Sequence, residues 1–310
     1  MPASVTVTEV VLRDGLQDEP VTVATDGKLR ILDGLIGAGL RSIELGAFVR
    51  PDRVPQMADT GQLFEAARGR AGVTCSGLVM NRAGAERAIA AGAPEVRLVV
   101  SASEGHSRAN AGRGVEEALA ELERAAAVLS AAPRPPVLSA GIATAFVCPY
   151  DGPTPPDRVV AIAARLAAAG AGRISLADTL GAATPVQVRA GIMALRQVLP
   201  EVRIGLHLHD TYGMALACAW EALRLGVDWF DASLGGIGGC PFAPGAAGNV
   251  ATEDLLGLLH GTGVATGVDA GRLLGLIPLL SGLTGHSVTS RQWLARSVAP
   301  SRDTIGSLPS

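Results

Sequence analysis

Two histidines one residue apart, His207 and His209, end a short apolar run, and Asp210-Thr-Tyr-Gly213 follows them. Ile204, Leu206 and Leu208 after the break at Pro200 predict a strand. Side chains alternate faces along a strand, so both imidazoles point the same way, one pleat apart. A lone histidine would more often be hydrogen-bonded and nothing else. Two on one face, at a strand-to-helix turn, form the core of a metal site. Near the other end of the chain, Arg13-Asp14-Gly15-Leu16-Gln17 places a cation and a carboxylate directly after another apolar run. Asp14, His207 and His209 together would supply one carboxylate and two imidazoles. An oxygen and nitrogen set without thiolate favours a harder divalent ion, Mg²⁺ or Mn²⁺, over structural zinc.

Bringing residues 14 and 207 together requires a fold that gathers strand ends. Strand-like and helix-like stretches alternate along the chain. The strands are expected over 5–12, 41–45, 72–80, 95–102, 136–147, 173–177, the His207 segment from 202, and 229–234. The helices are expected over 26–38, 61–69, 83–91, 115–131, 155–169, 185–199, 214–225 and 252–259. Ala-Gly endings such as Gly37-Ala-Gly39 and Ala169-Gly-Ala-Gly172 stop helices just ahead of the next strand. Eight strand–helix units of this size imply an α/β fold, a (β/α)8 TIM barrel over 1–266, with an extra C-terminal helical segment and tail over 267–310. A doubly wound open sheet is disfavoured because no G-x-G-x-x-G follows the first strand. The tail from about residue 297 is polar and expected to be poorly ordered.

A barrel of this kind carries its active site at the C-terminal ends of its strands. The residues there are Arg13 and Asp14, Glu44, Ser101 to Glu104 with His106 beyond, Cys148, Asp178, the histidine pair, and a glycine-rich loop holding Cys240 and Asn249. Charges such as Asp14 and Glu44 are costly there without a cation or donors. Arg13 should point away from Asp14 unless the strand end kinks. It would either meet oxyanion charge or pair with Glu44 or Asp178. Asn249 would offer either an amide oxygen to the metal or an N-cap to the helix at 252. Cys240 would either swing in on its loop to transfer a proton or pack as a small hydrophobe.

Composition narrows the class. The chain has 310 residues, 48% of them hydrophobic, only 3% aromatic, and a net charge of −3. That charge offers no attraction to nucleic acid or anionic membranes. No apolar run reaches the ~18–20 residues of a membrane span; the nearest, 273–283, is broken by Gly275, Pro278 and Gly282. It is instead a candidate subunit interface, and a homo-oligomer, a dimer by preference, is expected. The four cysteines form no CxxC pair and read as free thiols in a reducing cytoplasm. Cys75, Cys148 and Cys218 read as packing residues.

Five motifs in order carry a resemblance. Val11-Leu-Arg-Asp-Gly-Leu-Gln-Asp-Glu19, Val54-Pro-Gln-Met57, Cys148-Pro-Tyr150, His207-Leu-His-Asp-Thr-Tyr-Gly213, and Gly238-Gly-Cys-Pro-Phe242 running to Ala247-Gly-Asn-Val-Ala-Thr-Glu-Asp254 resemble the 3-hydroxy-3-methylglutaryl-CoA lyases, from about residue 5 to about residue 267. The resemblance implies retro-Claisen cleavage of 3-hydroxy-3-methylglutaryl-CoA to acetyl-CoA and acetoacetate. It implies metal ligands Asp14, His207, His209 and Asn249. It implies Arg13 at the enolate oxygen, Cys240 in proton transfer to the enolate, and Glu44 and Asp178 as acidic residues required for activity. Arg13 and Gln17 are the expected substrate-binding residues, and an acyl-CoA is the expected partner. Isopropylmalate and homocitrate synthases share the first-strand Arg-Asp and the His-x-His, while the Gly-Gly-Cys-Pro loop points to the lyase branch. A condensing enzyme or aldolase would show no dependence on Cys240, and a barrel kept only for binding would need none of the ligands. One departure stands out. Leu45-Gly-Ala47 follows Glu44, where the family usually carries hydroxyl residues. This predicts a more apolar acyl pocket and admits a related branched 3-hydroxyacyl-CoA as substrate.

Overall fold

Eight parallel strands close on themselves in the computed structural model, which describes residues 1–238, 248–288 and 290–298, apart from the side chains of 297 and 298. They are β1 (Thr6–Glu9), β2 (Ser42–Ala47), β3 (Thr74–Val79), β4 (Glu95–Ser101), β5 (Val137–Ala143), β6 (Arg173–Asp178), β7 (Arg203–Leu208) and β8 (Trp229–Ala232). The ring runs in chain order, and β1 pairs with both β2 and β8 to close it. In such a ring β4 stands opposite β8, which matters for the site below. The helices between strands form the outer layer: α1 (Thr25–Gly37), α2 (Thr60–Ala67), α3 (Arg82–Ala91), α4 (Glu104–Ala111), α5 (Val115–Ser130), α6 (Pro156–Ala168), α7 (Pro185–Val198), α8 (Ala215–Arg224) and α9 (Thr252–Gly261). The (β/α)8 barrel expected from the sequence is the fold observed.

Local chemistry explains where helices begin. At α7, Thr184 and Gln187 form a reciprocal capping box and Pro185 takes the first turn, where its missing N–H costs nothing. Asn81 caps α3 by accepting from the Gly84 amide. The α5 helix buries Val115, Leu119, Leu122 and Leu129 against the barrel. Truncating one of these leucines to alanine should cost ~2–5 kcal/mol.

Three elements differ from expectation. The first strand ends at Glu9 rather than at residue 12, and residues Val11–Gly15 form a single π-helical turn. The fifth ends at Ala143, and the chain then makes a small hairpin in which Val147–Cys148 pairs with Gly152–Pro153. Residues Glu104–Ala111, expected as loop, form α4, whose polar sequence carries no apolar stripe.

The lower barrel is plugged. The Trp229 ring fills it, with its Nε1 donating to Thr8 Oγ1 at 2.9 Å. The backbone of Gly205 lies against that ring with no room for a Cβ. The Arg97 and Arg173 guanidinium groups lie 5.1 and 5.5 Å from the ring centroid. Glu95 bridges Arg173 and Ser139 beneath. Among the described residues this layer closes the lumen below the cavity.

Beyond the eighth unit, α10 (Ala270–Leu274) and α11 (Ile277–Thr284) pack on α1, with Leu276 filling the space over Gly34 and Leu283 that over Gly27. Leu273, Ile277 and Leu280 are fully buried in this way. The apolar side chains expected to form a subunit interface are thus largely covered by the chain's own first helix. A last helix, α12 (Arg291–Val298), is held by Asp254, which accepts from the Arg291 and Gln292 amides. The expected disordered tail lies mostly outside the described residues. Among the described residues no helix is long and apolar enough to cross a membrane.

Candidate active site

The site begins with the turn after β1. Glu9 is fully buried, and its Oε1 accepts from the amides of Val11 and Leu234 at 2.9 Å each. Its Oε2 accepts from Thr252 Oγ1 at 2.7 Å. Capturing the Val11 amide takes the chain out of the strand ladder and winds it into the π-helical turn. Val10 O then accepts from both Arg13 and Gly15 at 3.1 Å. A strand would send residues 13 and 14 to opposite faces; the turn puts both at the barrel mouth. A Cβ on Gly15 would press on Ser233 Oγ at 2.8 Å, so glycine lets this turn pack against the chain after β8.

Asp14, His207 and His209 converge, their ligand atoms all within 4.8 Å of one another. The two Nε2 atoms are 3.2 Å apart, and Asp14 Oδ2 lies 3.6 Å from that of His207 and 3.7 Å from that of His209. His207 ends β7, and His209 is held just past it by a bridge to Asn249. Asn249 donates its amide nitrogen to Asp14 Oδ2 at 2.7 Å and to Ile237 O at 3.1 Å. To act as a ligand its amide must turn over and present the oxygen. Gly238, at φ +107°, crosses so close to Asp14 that a Cβ there would sit 2.8 Å from the Asp14 carbonyl oxygen.

A buried charge network surrounds the cluster. Arg13 donates from Nε to Glu44 Oε2 at 2.6 Å and from Nη1 to Asp14. Burial opposes the Arg13 charge, but Asp14 and Glu44 outweigh it and raise its pKa. Arg97 on β4 reaches across the lumen to Asp231 on β8, with bonds of 2.5 and 3.1 Å, and lies 3.7 Å from Glu44. Asp231 Oδ2 in turn sits 3.4 Å from His207 Nδ1. A proton on that nitrogen leaves Nε2 as a lone pair aimed at the cluster, the usual arrangement behind a metal-bound histidine. Burial works to raise the Asp14 carboxyl, yet the Arg13 charge and both histidines hold it well below the ordinary carboxylate range. Asp231 is likewise held low by Arg97 and His207 against its burial. Motif reasoning missed Arg97 and Asp231, which join the cluster through His207. The available signal was a charge at an inward position of an otherwise apolar strand, in Glu95-Val-Arg-Leu and in Trp229-Phe-Asp-Ala.

The donor set fits a divalent cation. Two imidazole Nε2 atoms and a carboxylate oxygen face one point, and His209 Nδ1 is buried without a partner among the described residues, so His209 can keep its proton there and turn a lone pair to the cluster. Two arginines against three carboxylates leave the linked network one net negative charge, so a divalent ion would bring it to one positive.

The cluster floors a cavity of about 580 Å³ at the C-terminal mouth of the barrel. Arg13 and Gln17 line it beside the cluster, and Arg50, Arg53 and Arg113 line its rim. The model of the HMGL-like family matches residues 4–279. The chain belongs to the HMGL-like family. The family is metal-dependent, and this chain is a carbon–carbon lyase.

Two curated relatives of this HMGL-like chain bracket the chemistry. It is 42% identical to an (R)-citramalyl-CoA lyase of Chloroflexus aurantiacus, over 96% of each chain. It is 41% identical to a 3-hydroxy-3-isohexenylglutaryl-CoA/hydroxy-methylglutaryl-CoA lyase of Pseudomonas aeruginosa, over 94% of this chain and 96% of the other. Among solved structures, an HMG-CoA lyase of Acinetobacter baumannii in complex with coenzyme A and 3-methylmalate superposes with a TM-score of 0.88 at 36% identity, over 99% of this chain and 98% of that one.

The other expected residues fall as follows in this HMGL-like barrel. Glu44 and Asp178 are buried and do not line the cavity. Glu44 holds Arg13. Asp178 accepts from the Ala182 and Ala183 amides at 3.1 and 2.9 Å, which shapes the turn after β6. Burial raises its pKa despite those amides. Cys240 lies outside the described residues. The three described cysteines are free and buried. Cys148 does more than pack: its sulfur accepts from Ser103 Oγ at 2.9 Å and from the Tyr150 and Asp151 amides at 3.3 Å. His106, on the unexpected α4, lines the cavity with Nδ1 at 2.7 Å from Ser101 Oγ, and burial lowers its pKa. The Val-Pro-Gln-Met motif is an anchor: buried Lys28 donates to Gln56 O and Asp59 at 2.5 Å, and Gln56 donates to Glu19 O at 2.6 Å. Leu45, Gly46 and Ala47 are buried behind the strand and do not line the cavity, so the missing hydroxyls act on packing rather than directly on its lining.

Proposed function

We propose that this chain cleaves 3-hydroxy-3-methylglutaryl-CoA to acetyl-CoA and acetoacetate. The observation that carries this reading is the convergence of Asp14, His207 and His209 beside Arg13 on the floor of the cavity, in an HMGL-like chain. Asp14, His207 and His209, with the Asn249 amide turned over, would hold Mg²⁺ or Mn²⁺, which would supply Lewis acidity toward the substrate's tertiary hydroxyl. A monoanionic acyl group then brings the network to neutrality.

The chemistry asked of the protein is limited. The hydroxyl proton passes to a water in the cavity, the bond between C2 and C3 breaks, and C3 becomes the ketone carbon of acetoacetate. The electron pair of that bond passes to the thioester, forming an enolate that is protonated at C2. Arg13 meets the oxygen charge. Its Nε is occupied by Glu44 and one Nη by Asp14, so its remaining N–H groups are the ones available to the cavity. Each well-placed donor of this kind is worth ~3–4 kcal/mol in the transition state. Cys240 is the proposed proton donor to C2, and a neutral thiol suits that task. Gln17, on the cavity lining, would bind the acyl group. The arginines at the rim suit the phosphates of coenzyme A. The buried thiols suit the cytoplasm, and a homodimer would use the exposed face of α7, where Val186 and Met193 are 75% and 56% exposed.

The test is purified protein with Mg²⁺ or Mn²⁺ and 3-hydroxy-3-methylglutaryl-CoA, with acetoacetate as readout. Product is expected, and His207→Ala should abolish it. Absence of acetoacetate, or full turnover by His207→Ala, overturns the reading. A second reading, cleavage of citramalyl-CoA, is favoured by the Chloroflexus relative and would release pyruvate instead.

A further inference from the structure

The cleavage needs a group that finally accepts the hydroxyl proton. Among the described residues, the acidic side chains and histidines that line the cavity are Asp14, Asp18, His106, His207, His209 and Asp231. Asp14 and the histidine pair form the cluster. Asp231 accepts two bonds from Arg97. His106 stands on α4, which follows β4, and β4 lies across the ring from β8 and the cluster. Glu44 and Asp178 are buried off the cavity and already bonded, to Arg13 and to two amides. Asp18 is left.

Asp18 lies four residues past Asp14, just beyond the π-helical turn, and its neighbour pins it there. Glu19 O accepts from Gln56 Nε2 at 2.6 Å, and the Glu19 carboxylate meets His286 Nε2 at 2.8 Å. Glu19 is thereby held off the cavity while Asp18 lines it. Asp14 and Asp231, the other carboxylates on the lining, are both bonded to arginine. The Asp18 carboxylate forms no hydrogen bond or ion pair with a described residue, and it is exposed, so its oxygens are open to water.

The charges around Asp18 place it on the cluster's side of the cavity. Desolvation by the cavity walls raises its pKa above the usual 3.8, the Asp14 and Glu19 charges add to this, and Arg13 and His209 act against it. A raised pKa makes a carboxylate a stronger proton acceptor.

We propose that Asp18 is the general base of the cleavage, taking the hydroxyl proton through one water. This rests on the lyase reading above. The hydroxyl gives its proton to the water as the water gives one to Asp18, and the electron pair of the O–H bond becomes the second bond of the new ketone. The C2–C3 pair passes to the thioester, so Asp18 ends neutral and the enolate carries the charge until C2 is protonated. Asp18 then loses its proton to solvent and the donor to C2 takes one back, so none is gained or lost.

The experiment measures kcat and KM for 3-hydroxy-3-methylglutaryl-CoA with saturating Mn²⁺ from acid to neutral pH, and Mn²⁺ affinity by calorimetry, in the wild type and Asp18→Asn. The variant should lose about 10²-fold or more in kcat, the usual worth of a general base, with KM within about threefold. The acid-side fall of kcat should be shallower than in the wild type, because one of the groups behind it is gone. Mn²⁺ affinity should stay within about threefold, since an exposed charge is screened. Asp18→Ser carries the same expectations and decides the matter if the asparagine variant does not fold. A kcat within tenfold of the wild type, or an unchanged acid-side profile, overturns the inference and leaves the lyase reading standing. A loss of Mn²⁺ affinity that parallels the loss of kcat also overturns it, because Asp18 would then be supporting the cluster. If the wild type yields neither acetoacetate from this substrate nor pyruvate from citramalyl-CoA, the lyase reading fails and takes this inference with it.

Discussion

Replacing Asp231 with asparagine tests the charge network most directly. The substitution keeps the shape of the side chain and removes its charge. Asp231 now accepts two bonds from Arg97 and faces His207 Nδ1 at 3.4 Å. In Asp231→Asn the amide nitrogen must oppose either an arginine donor or the imidazole N–H. Losing the group that orients a metal-binding histidine typically costs 10- to 100-fold in metal affinity, or ~1.4–2.7 kcal/mol. Leaving a buried charge without its partner costs ~3–5 kcal/mol of stability. Glu44, 3.7 Å from Arg97, takes up part of the loss, so the lower end, about 3 kcal/mol, is expected. At ~2 °C per kcal/mol for a chain of this size, the melting temperature should drop by about 6 °C. The assay is Mn²⁺ titration calorimetry on the folded variant, with thermal unfolding in chelator. Asp228→Asn is the control, since its pair with Arg203 is half-exposed and worth at most ~1 kcal/mol. If Asp231→Asn binds Mn²⁺ as tightly as the wild type and melts with the control, neither the orientation of His207 nor the buried pair has the role assigned to it.

Two further outcomes follow from the same geometry. Burial raises the Glu9 carboxyl from 4.5 to about 7, against the bonds from Thr252, Leu234 and Val11. An acid that holds its proton more tightly when folded contributes stability in full below pH 4.5 and loses it as the pH climbs to about 7. This group alone should therefore remove ~3 kcal/mol over that window. Glu9→Gln should flatten the fall, and urea unfolding of both proteins at several pH values reads the difference; parallel profiles would refute it. Arg13→Lys cannot span Glu44 and Asp14 and still present a donor to the enolate. Its kcat should fall ~10²–10³-fold with little change in KM, and a kcat within tenfold of the wild type would remove Arg13 from the oxyanion role.

The barrel and the three converging residues were legible in the sequence because each leaves a local mark. A strand's alternation puts His207 and His209 on one side whatever surrounds them, and Ala-Gly endings separate successive units without reference to the core. The identity of Asp14 as their partner was also readable, since all strands of such a barrel deliver their ends to one face. What only the tertiary structure decided depends on pairs far apart in the chain. Arg97 meets Asp231 across 134 residues, because β4 and β8 become opposite walls only when the ring closes. Glu9 reads as one more polar residue in a strand until the Leu234 amide and Thr252 arrive beside it from the other end of the chain. With them in place its carboxylate can draw the Val11 amide out of the ladder, and the resulting turn is what puts Arg13 and Asp14 side by side. Periodicity reports which face a residue takes on its own element. Which charge it meets there is fixed by closure of the barrel, a non-local event that no single segment encodes.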